Sequence, residues 1–314
     1  MNFSGKLFAN LINLLNLLNF SSRYKGILFM LLAAIGFSLM GAAAKILKQS
    51  FNAGQLVFYR NAAGLIFLLG GFIIHKTQSA GGKIYLLFFR GLMGTTALYG
   101  LLYCVLHMPL GTAMSYNLTS ALFIALLSWL VLKEAPGKLV ALAVIIGFAG
   151  MLLIYKPNIH LPWYYHAAGL FSGICSAVAY LSIGRLSYYY DTRIVVLSFV
   201  LSGVLVPLFF MLIKNIFSIQ ADDVFFIEWR WPQQKEWLWI LMLGVTALFG
   251  QYFVTKAYSS DKAGIVSAIS YANIIFSVLL GMLLGDAFPD MLSLTGMLFI
   301  ILSGVMISLY KRRK

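Results

Sequence analysis

Charge is scarce in this chain, and negative charge is scarcest. Asp and Glu number 9 among 314 residues against 23 Lys and Arg, and charged residues make up only 10% of the total. A water-soluble domain carries about 25%, so this chain cannot cover a surface in water. Cysteine is nearly missing: Cys104 and Cys175 both fall in apolar runs, which excludes a disulfide framework and a metal site of Cys spacing. No metal and no cofactor is expected. No Asp or Glu falls in the middle of an apolar run, which removes a buried carboxylate relay. Nucleophile–base pairs, paired intramembrane acids and an H-E-x-x-H element are lacking as well, which argues against a membrane-embedded enzyme.

What the chain has is hydrocarbon. Hydrophobic residues reach 61%, arranged in continuous runs rather than with the period of two of a strand. A bilayer core of roughly 30 Å needs about 20 apolar residues per helix, and backbone groups in lipid must be satisfied within the segment or a closed barrel. The sequence therefore predicts an all-α membrane protein with ten transmembrane helices. The spans read as 26–47, 54–74, 84–106, 110–132, 138–155, 164–186, 193–213, 237–257, 263–284 and 292–310. The net charge of +14 would suggest nucleic acid in a soluble protein. Here the basic residues sit at the ends of runs, where they orient helices, so no nucleic-acid partner is expected. Lys25, Lys83, Lys138, Arg185, Arg193, Lys256, Lys262 and the tail Lys311 to Lys314 share one side. Lys48, Lys156, Lys214, Arg230 and Lys235 hold the other. The positive-inside rule then puts both termini in the cytoplasm.

Two further segments stand out. Residues 1–23 place Leu7, Leu11, Leu14 and Leu18 on one helical face and Asn10, Asn13 and Asn16 on another, which fits an amphipathic or disordered N-terminal segment. The connection from Lys214 to Glu236 is the only long one, and its Trp229, Trp231, Trp237 and Trp239 suit the headgroup level.

An internal repeat organises the rest. Gly94-Thr95-Thr96-Ala97-Leu98-Tyr99-Gly100 in the third span matches Gly244-Val245-Thr246-Ala247-Leu248-Phe249-Gly250 in the eighth. Leu132-Lys133-Glu134-Ala135 ends the fourth span and Leu284-Gly285-Asp286-Ala287 the ninth. Gly150 with Tyr155-Lys156 closes the fifth, and Gly304 with Tyr310-Lys311 the tenth. Five spans per copy is odd, so the second copy enters the membrane from the opposite side. The expected domains are residues 24–156 and 157–314, two inverted five-helix repeats of the sort that gives alternating access.

Arg90-Gly91-Leu92-Met93-Gly94, His107 to Ala113, Thr119-Ser120-Ala121-Leu122-Phe123 and the closing Leu132-Lys133-Glu134 resemble the EamA family of the drug/metabolite transporter superfamily. Tyr59-Arg60-Asn61 is similar to that family's aromatic-Arg element. The resemblance runs from about Tyr24 over nearly the whole chain. It implies a ten-helix carrier of small organic metabolites in the cell inner membrane, with a central cavity. The family often has proline where this chain has Ala121 and, in the second half, Asn273. A kink at those places would therefore rest on Gly or Ser flexibility.

Charged residues inside spans are costly and face cavities or partners. Arg60 is the leading substrate-binding candidate, with Lys45 and Arg90 beside it. Arg90 lies near the cytoplasmic start of its span, where a headgroup or topology role fits better than substrate contact. Tyr59, Tyr99, Tyr103, Tyr116, Gln251, Tyr271 and Asn273 supply polar and aromatic lining. Glu134 and Asp286 sit at equivalent helix ends, where a carboxylate supports the next helix N-terminus. Gly281 to Gly285 reads as a GxxxG packing motif. Unbalanced cations with aromatics favour an anionic or amphoteric solute, such as an amino-acid derivative or a nucleoside-like compound. The expected partners are that small molecule and the bilayer, with the protein a monomer or homodimer. A passive channel or facilitator is the rival function, although it lacks charged rings or a carbonyl filter.

Overall fold

The computed structural model describes residues 25–74, 81–107, 110–121, 123–124, 127, 137–155, 162–217, 230–285 and 290–313. Over these residues the chain is helical, with no strand. The helices are α1 (Lys25–Leu47), α2 (Ala53–Ile74), α3 (Ile84–His107), α4 (Leu110–Leu118), α5 (Lys138–Tyr155), α6 (Trp163–Leu186), α7 (Thr192–Phe217), α8 (Glu236–Ser260), α9 (Ala263–Ile269), α10 (Ala272–Leu283) and α11 (Met291–Arg313). Among the described residues seven helical segments are long and apolar enough to cross a membrane. Large apolar side chains such as Ile66, Phe209 and Leu283 stand exposed, as lipid-facing residues do. The N-terminal segment, Glu134, Asp286, Trp229 and the middle of the long connection lie outside the described residues.

Two segments break where proline was missing. After α4 the chain turns at Thr119, whose Oγ1 donates to the carbonyl of Tyr116 at 2.6 Å, and helix resumes with the Phe123 amide donating to the Thr119 carbonyl at 3.2 Å. Between α9 and α10 the Ser270 hydroxyl donates to the Ser267 carbonyl at 2.6 Å, and the Asn273 and Ile274 amides make tight three-residue bonds to Ser270 and Tyr271. A short hydroxyl side chain that satisfies a local carbonyl competes with the helical ladder. Hydroxyls thus do here what a proline ring does by removing a donor.

Close packing follows the repeated glycines. α8 lies along α1 and α6 along α3; α2 packs on α7 and α5 on α11. α7 also touches α3, α8 touches α2, α10 leans on α1, and α4 leans on α6 and α10. A Cβ on Gly250 would fall 2.8 Å from the Phe37 ring of α1, and one on Gly100 would fall 2.9 Å from Ser172 of α6. Gly244 allows Ala63 of α2 to approach its backbone, where an added Cβ would meet it at 2.4 Å. Each glycine of the repeated motif therefore sits at a helix crossing whose distance it sets. The GxxxG reading of the ninth span needs correcting. Gly285 lies past the end of α10 with a φ of +95° and open space around it. It ends the helix in the left-handed conformation that glycine adopts without penalty, and it packs no partner among the described residues.

Candidate functional site

Where α1, α2, α3, α4, α6, α7, α8 and the Ser270–Asn273 break converge, they line a cavity of about 80 Å³, room for a few waters. α5 and α11 pair outside it and contribute nothing to the described lining. Most of the wall is apolar, from Met30, Met40, Met114, Phe37 and Phe199. Into this wall project two arginines. Arg60 is 3% exposed and Arg90 1%, and no carboxylate pairs with either among the described residues.

The two cations are held differently. Arg60 Nη1 donates to Asn61 Oδ1 at 2.9 Å and its Nε to Met40 Sδ at 3.3 Å; Asn61 Nδ2 in turn donates to the Val57 carbonyl at 2.7 Å. Gly203 of α7 leaves the room that Asn61 occupies, since a Cβ there would lie 2.2 Å from its amide. Arg90 Nε and Nη1, by contrast, have no hydrogen-bond partner among the described residues, and neither does Gln251 Nε2 of α8. Buried donors left unpaired cost of order 1–3 kcal/mol each. Unpaired donors on residues that line one cavity suit an acceptor that comes and goes.

Around them lies a hydroxyl- and amide-bearing shell. Asn117 Nδ2 donates to Ser176 Oγ at 3.2 Å and lies 3.4 Å from Ser172 Oγ, tying α4 to α6. Across the molecule Ser38 Oγ donates to the Asn273 carbonyl at 3.0 Å, Asn273 Nδ2 donates to the Ala34 carbonyl at 3.2 Å, and Ser277 Oγ donates to Asn273 Oδ1 at 3.1 Å. That network ties the broken α9–α10 segment to α1. Tyr180 of α6 and Tyr258 of α8 stack at 5.1 Å and complete the lining.

Of the residues expected from sequence, Arg60, Arg90, Gln251 and Asn273 meet in this cavity. A headgroup role for Arg90 does not survive its burial. Lys45 is half-buried near the end of α1 and does not line the cavity. Tyr59 points away, donating to the Arg230 carbonyl at 2.7 Å and packing edge-on to Phe51 and Trp237. Tyr103 packs at a tilt against His107 and Tyr165 at one end of α3, and Tyr116 hydrogen-bonds His166. Tyr99 and Tyr271 are buried beside the cavity, and the Tyr271 ring fills space left by Gly147. Sequence reasoning missed Phe199, Tyr180, Tyr258 and Asn117. A Phe amid an apolar span and an Asn near a span's start carry no local mark, because their role comes from contacts across the fold.

This arrangement is that of a multi-pass membrane protein with a mostly apolar pocket that holds two buried cations, and relatives say what such proteins do. A sequence profile of the EamA-like transporter family matches residues 24–156. A Helicobacter pylori protein named as an uncharacterized transporter is 32% identical over 288 residues, covering 90% of this chain and 94% of its own length. The pseudopaline exporter CntI of Pseudomonas aeruginosa is 30% identical over 91% of this chain and 97% of its own. A riboflavin transporter of Vibrio cholerae is 24% identical over 92% and 95%. A protein of known crystal structure superimposes with a TM-score of 0.70 over 93% of this chain at 18% identity, a likeness of fold. The chain belongs to the EamA-like transporter family and is a membrane transport protein.

Proposed function

We propose that this protein is a secondary carrier that moves a small anionic or amphoteric organic metabolite across the cell inner membrane by alternating access. The observation that carries the reading is the set of unpaired donors in the cavity. Among the described residues Arg90 Nε and Nη1 and Gln251 Nε2 have no partner, and Arg60 adds a second buried cation without a carboxylate. An oxyanion, carboxylate or phosphate, accepts from several such donors at once. Relatives named as a pseudopaline exporter and a riboflavin transporter support transport of a small organic solute.

The carrier mechanism rests on symmetry. The proposed architecture is ten membrane segments in two inverted halves, 24–156 and 157–314, with α9 and α10 forming one broken segment and both termini cytoplasmic. Exchange each helix for the one five segments on, and the contact α1–α8 becomes α6–α3. Likewise α7–α3 becomes α2–α8 and α10–α1 becomes α4–α6, while α2–α7 and α5–α11 map onto themselves. All of these pairings occur in the fold. Halves of matched packing can trade conformations to open the cavity to one side and then the other.

Comparing metabolites retained by cells with and without the protein identifies the solute. Proteoliposome counterflow then tests the reading. A carrier gives saturable flux stimulated by substrate on the far side, reduced at least tenfold by Arg90→Ala. Flux without saturation would make the protein a channel, and wild-type flux of an anion through Arg90→Ala would remove the anion site.

A further inference from the structure

Phe199 of α7 has no charge and no hydrogen-bonding group, yet both buried guanidiniums rest on it. Arg60 Cζ lies 5.1 Å from its ring centroid and Arg90 Cζ 5.2 Å. The two arginines come from different helices, α2 and α3, and α7 packs against both. The ring itself is buried and lines the cavity. We infer that Phe199 is the positioning residue of the anion site: its ring holds two cations by their charge and leaves the N–H edges of Arg90 free for the solute. This inference rests on the reading of the cavity as an anion site.

The reasoning concerns what kind of partner a binding-site arginine can tolerate. The usual partner of a buried guanidinium is a carboxylate, which takes two parallel N–H bonds and cancels the charge. A carboxylate in this cavity would therefore occupy the edges that an oxyanion solute requires. An aromatic ring attracts the same cation through its quadrupole and makes no claim on in-plane donors. Arg90 displays the result, with Nε and Nη1 unpartnered while its carbon centre sits over the ring. Gly94, one turn on from Arg90, keeps the arrangement open. A Cβ there would fall 2.5 Å from Arg90 Nη1 and 2.6 Å from Phe199 Cδ2, forcing the cation and the ring apart. The glycine of the repeated motif thus has a second use in the first half of the chain, beyond helix packing. Because one ring serves both arginines, it also sets the spacing between the two charges, which like-charge repulsion would otherwise widen.

The test uses the full-length protein in lipid nanodiscs, with inorganic phosphate and glutarate as separate probes and ligand-induced thermal stabilisation as the readout. Wild type is expected to be stabilised saturably by at least one of them. Phe199→Leu keeps an apolar side chain without a quadrupole and should weaken that probe about tenfold, with Phe199→Tyr recovering most of the loss. A purely structural role would lower the melting temperature in both variants without this split in affinity. Should Phe199→Leu fail to fold, Phe199→Met carries the same expectation. If Phe199→Leu or Phe199→Met binds as tightly as wild type while Arg90→Gln does not bind, the positioning role is wrong and the anion site stands. If neither probe stabilises wild type, or Arg90→Gln binds as wild type does, the anion site itself is wrong and the role of Phe199 goes with it.

Discussion

Arg230 donates from Nη1 to the carbonyl of Ser50 at 3.0 Å, joining the segment before α8 to the turn between α1 and α2. The same guanidinium lies over the Phe51 ring at 5.7 Å and reaches Glu236 at 3.4 Å, while Tyr59 donates to the Arg230 carbonyl at 2.7 Å. At the opposite ends of the helices Lys83 performs a comparable task. Its amide approaches the Tyr190 hydroxyl at 3.3 Å and its Nζ lies over Tyr189 at 6.0 Å, with the Gly81 amide bonded to the Tyr189 carbonyl at 3.0 Å. Under the proposed symmetry these two clasps are equivalents, one on each membrane face.

Loosening the first clasp should therefore open the cavity to one side only. Gln55 is 4% exposed behind it. Arg230→Ala is expected to raise labelling of a Gln55→Cys reporter by a membrane-impermeant maleimide at least fivefold in intact cells. Labelling that appears only in inverted vesicles would reverse the proposed orientation. No change in either preparation would mean that the clasp does not govern access. The native cysteines, Cys104 and Cys175, are buried and give a low background.

Helix crossings offer a sharper test of packing. A Cβ on Gly36 would lie 2.8 Å from the Gly250 backbone, which cannot swing aside as a side-chain end can. Gly184 has open space around its Cβ position. Overpacking of this kind costs about 1–3 kcal/mol. Gly36→Val should lower the melting temperature markedly and Gly184→Ala should leave it unchanged. Equal melting temperatures would show that α1 and α8 are less tightly joined than their backbones indicate.

How much of this was legible in the sequence depends on the range of the interaction. Helix limits were, because about 20 apolar residues between charged or Gly-containing joints fix a span locally: α5 begins and ends on the expected Lys138 and Tyr155. The breaks at Thr119 and Ser270 were half legible. Missing prolines at Ala121 and Asn273 pointed away from a kink, whereas a hydroxyl two or three residues earlier supplies one. Arg60 and Arg90 stood out because a charge in a span is costly. Phe199 was invisible, since one Phe among 25 acquires its role only when α2, α3 and α7 meet. Tyr59 was misjudged for the mirror reason. It neighbours Arg60 in sequence, but adjacent helical residues face in directions about 100° apart.

The polar network on the broken segment should be a stability element. Asn273 accepts from Ser277, donates to the Ala34 carbonyl, and offers its own carbonyl to Ser38. Asn273→Ala takes one bond each from the Ala34 carbonyl and the Ser277 hydroxyl, which keep their contacts to Ser38 at 2.9 and 3.1 Å, a loss of about 1 kcal/mol. Ser38→Ala removes one donor and leaves the Asn273 side chain bonded, so it should cost less. Thermal unfolding of both variants in one detergent checks the order. A larger loss for Ser38→Ala would mean that α1, rather than Asn273, organises the break.

The two arginines should differ in how they tolerate lysine. Arg60 has Nε and Nη1 committed to Met40 and Asn61, which leaves its positive charge as the main thing it offers a solute. Arg90 has Nε and Nη1 without a partner among the described residues, donors on two edges of its planar guanidinium that an oxyanion can take. Lysine keeps a charge but lacks the planar fork. Arg60→Lys is therefore expected to retain most of the affinity for an anionic solute. Arg90→Lys should lose about 10–100-fold, the equivalent of roughly 1.5–3 kcal/mol for a charge-assisted bond. Half-saturation concentrations from counterflow, at matched protein incorporation, decide between them. Equal losses would show that the cavity reads charge alone, and a greater loss at Arg60 would exchange the roles assigned to the two guanidiniums.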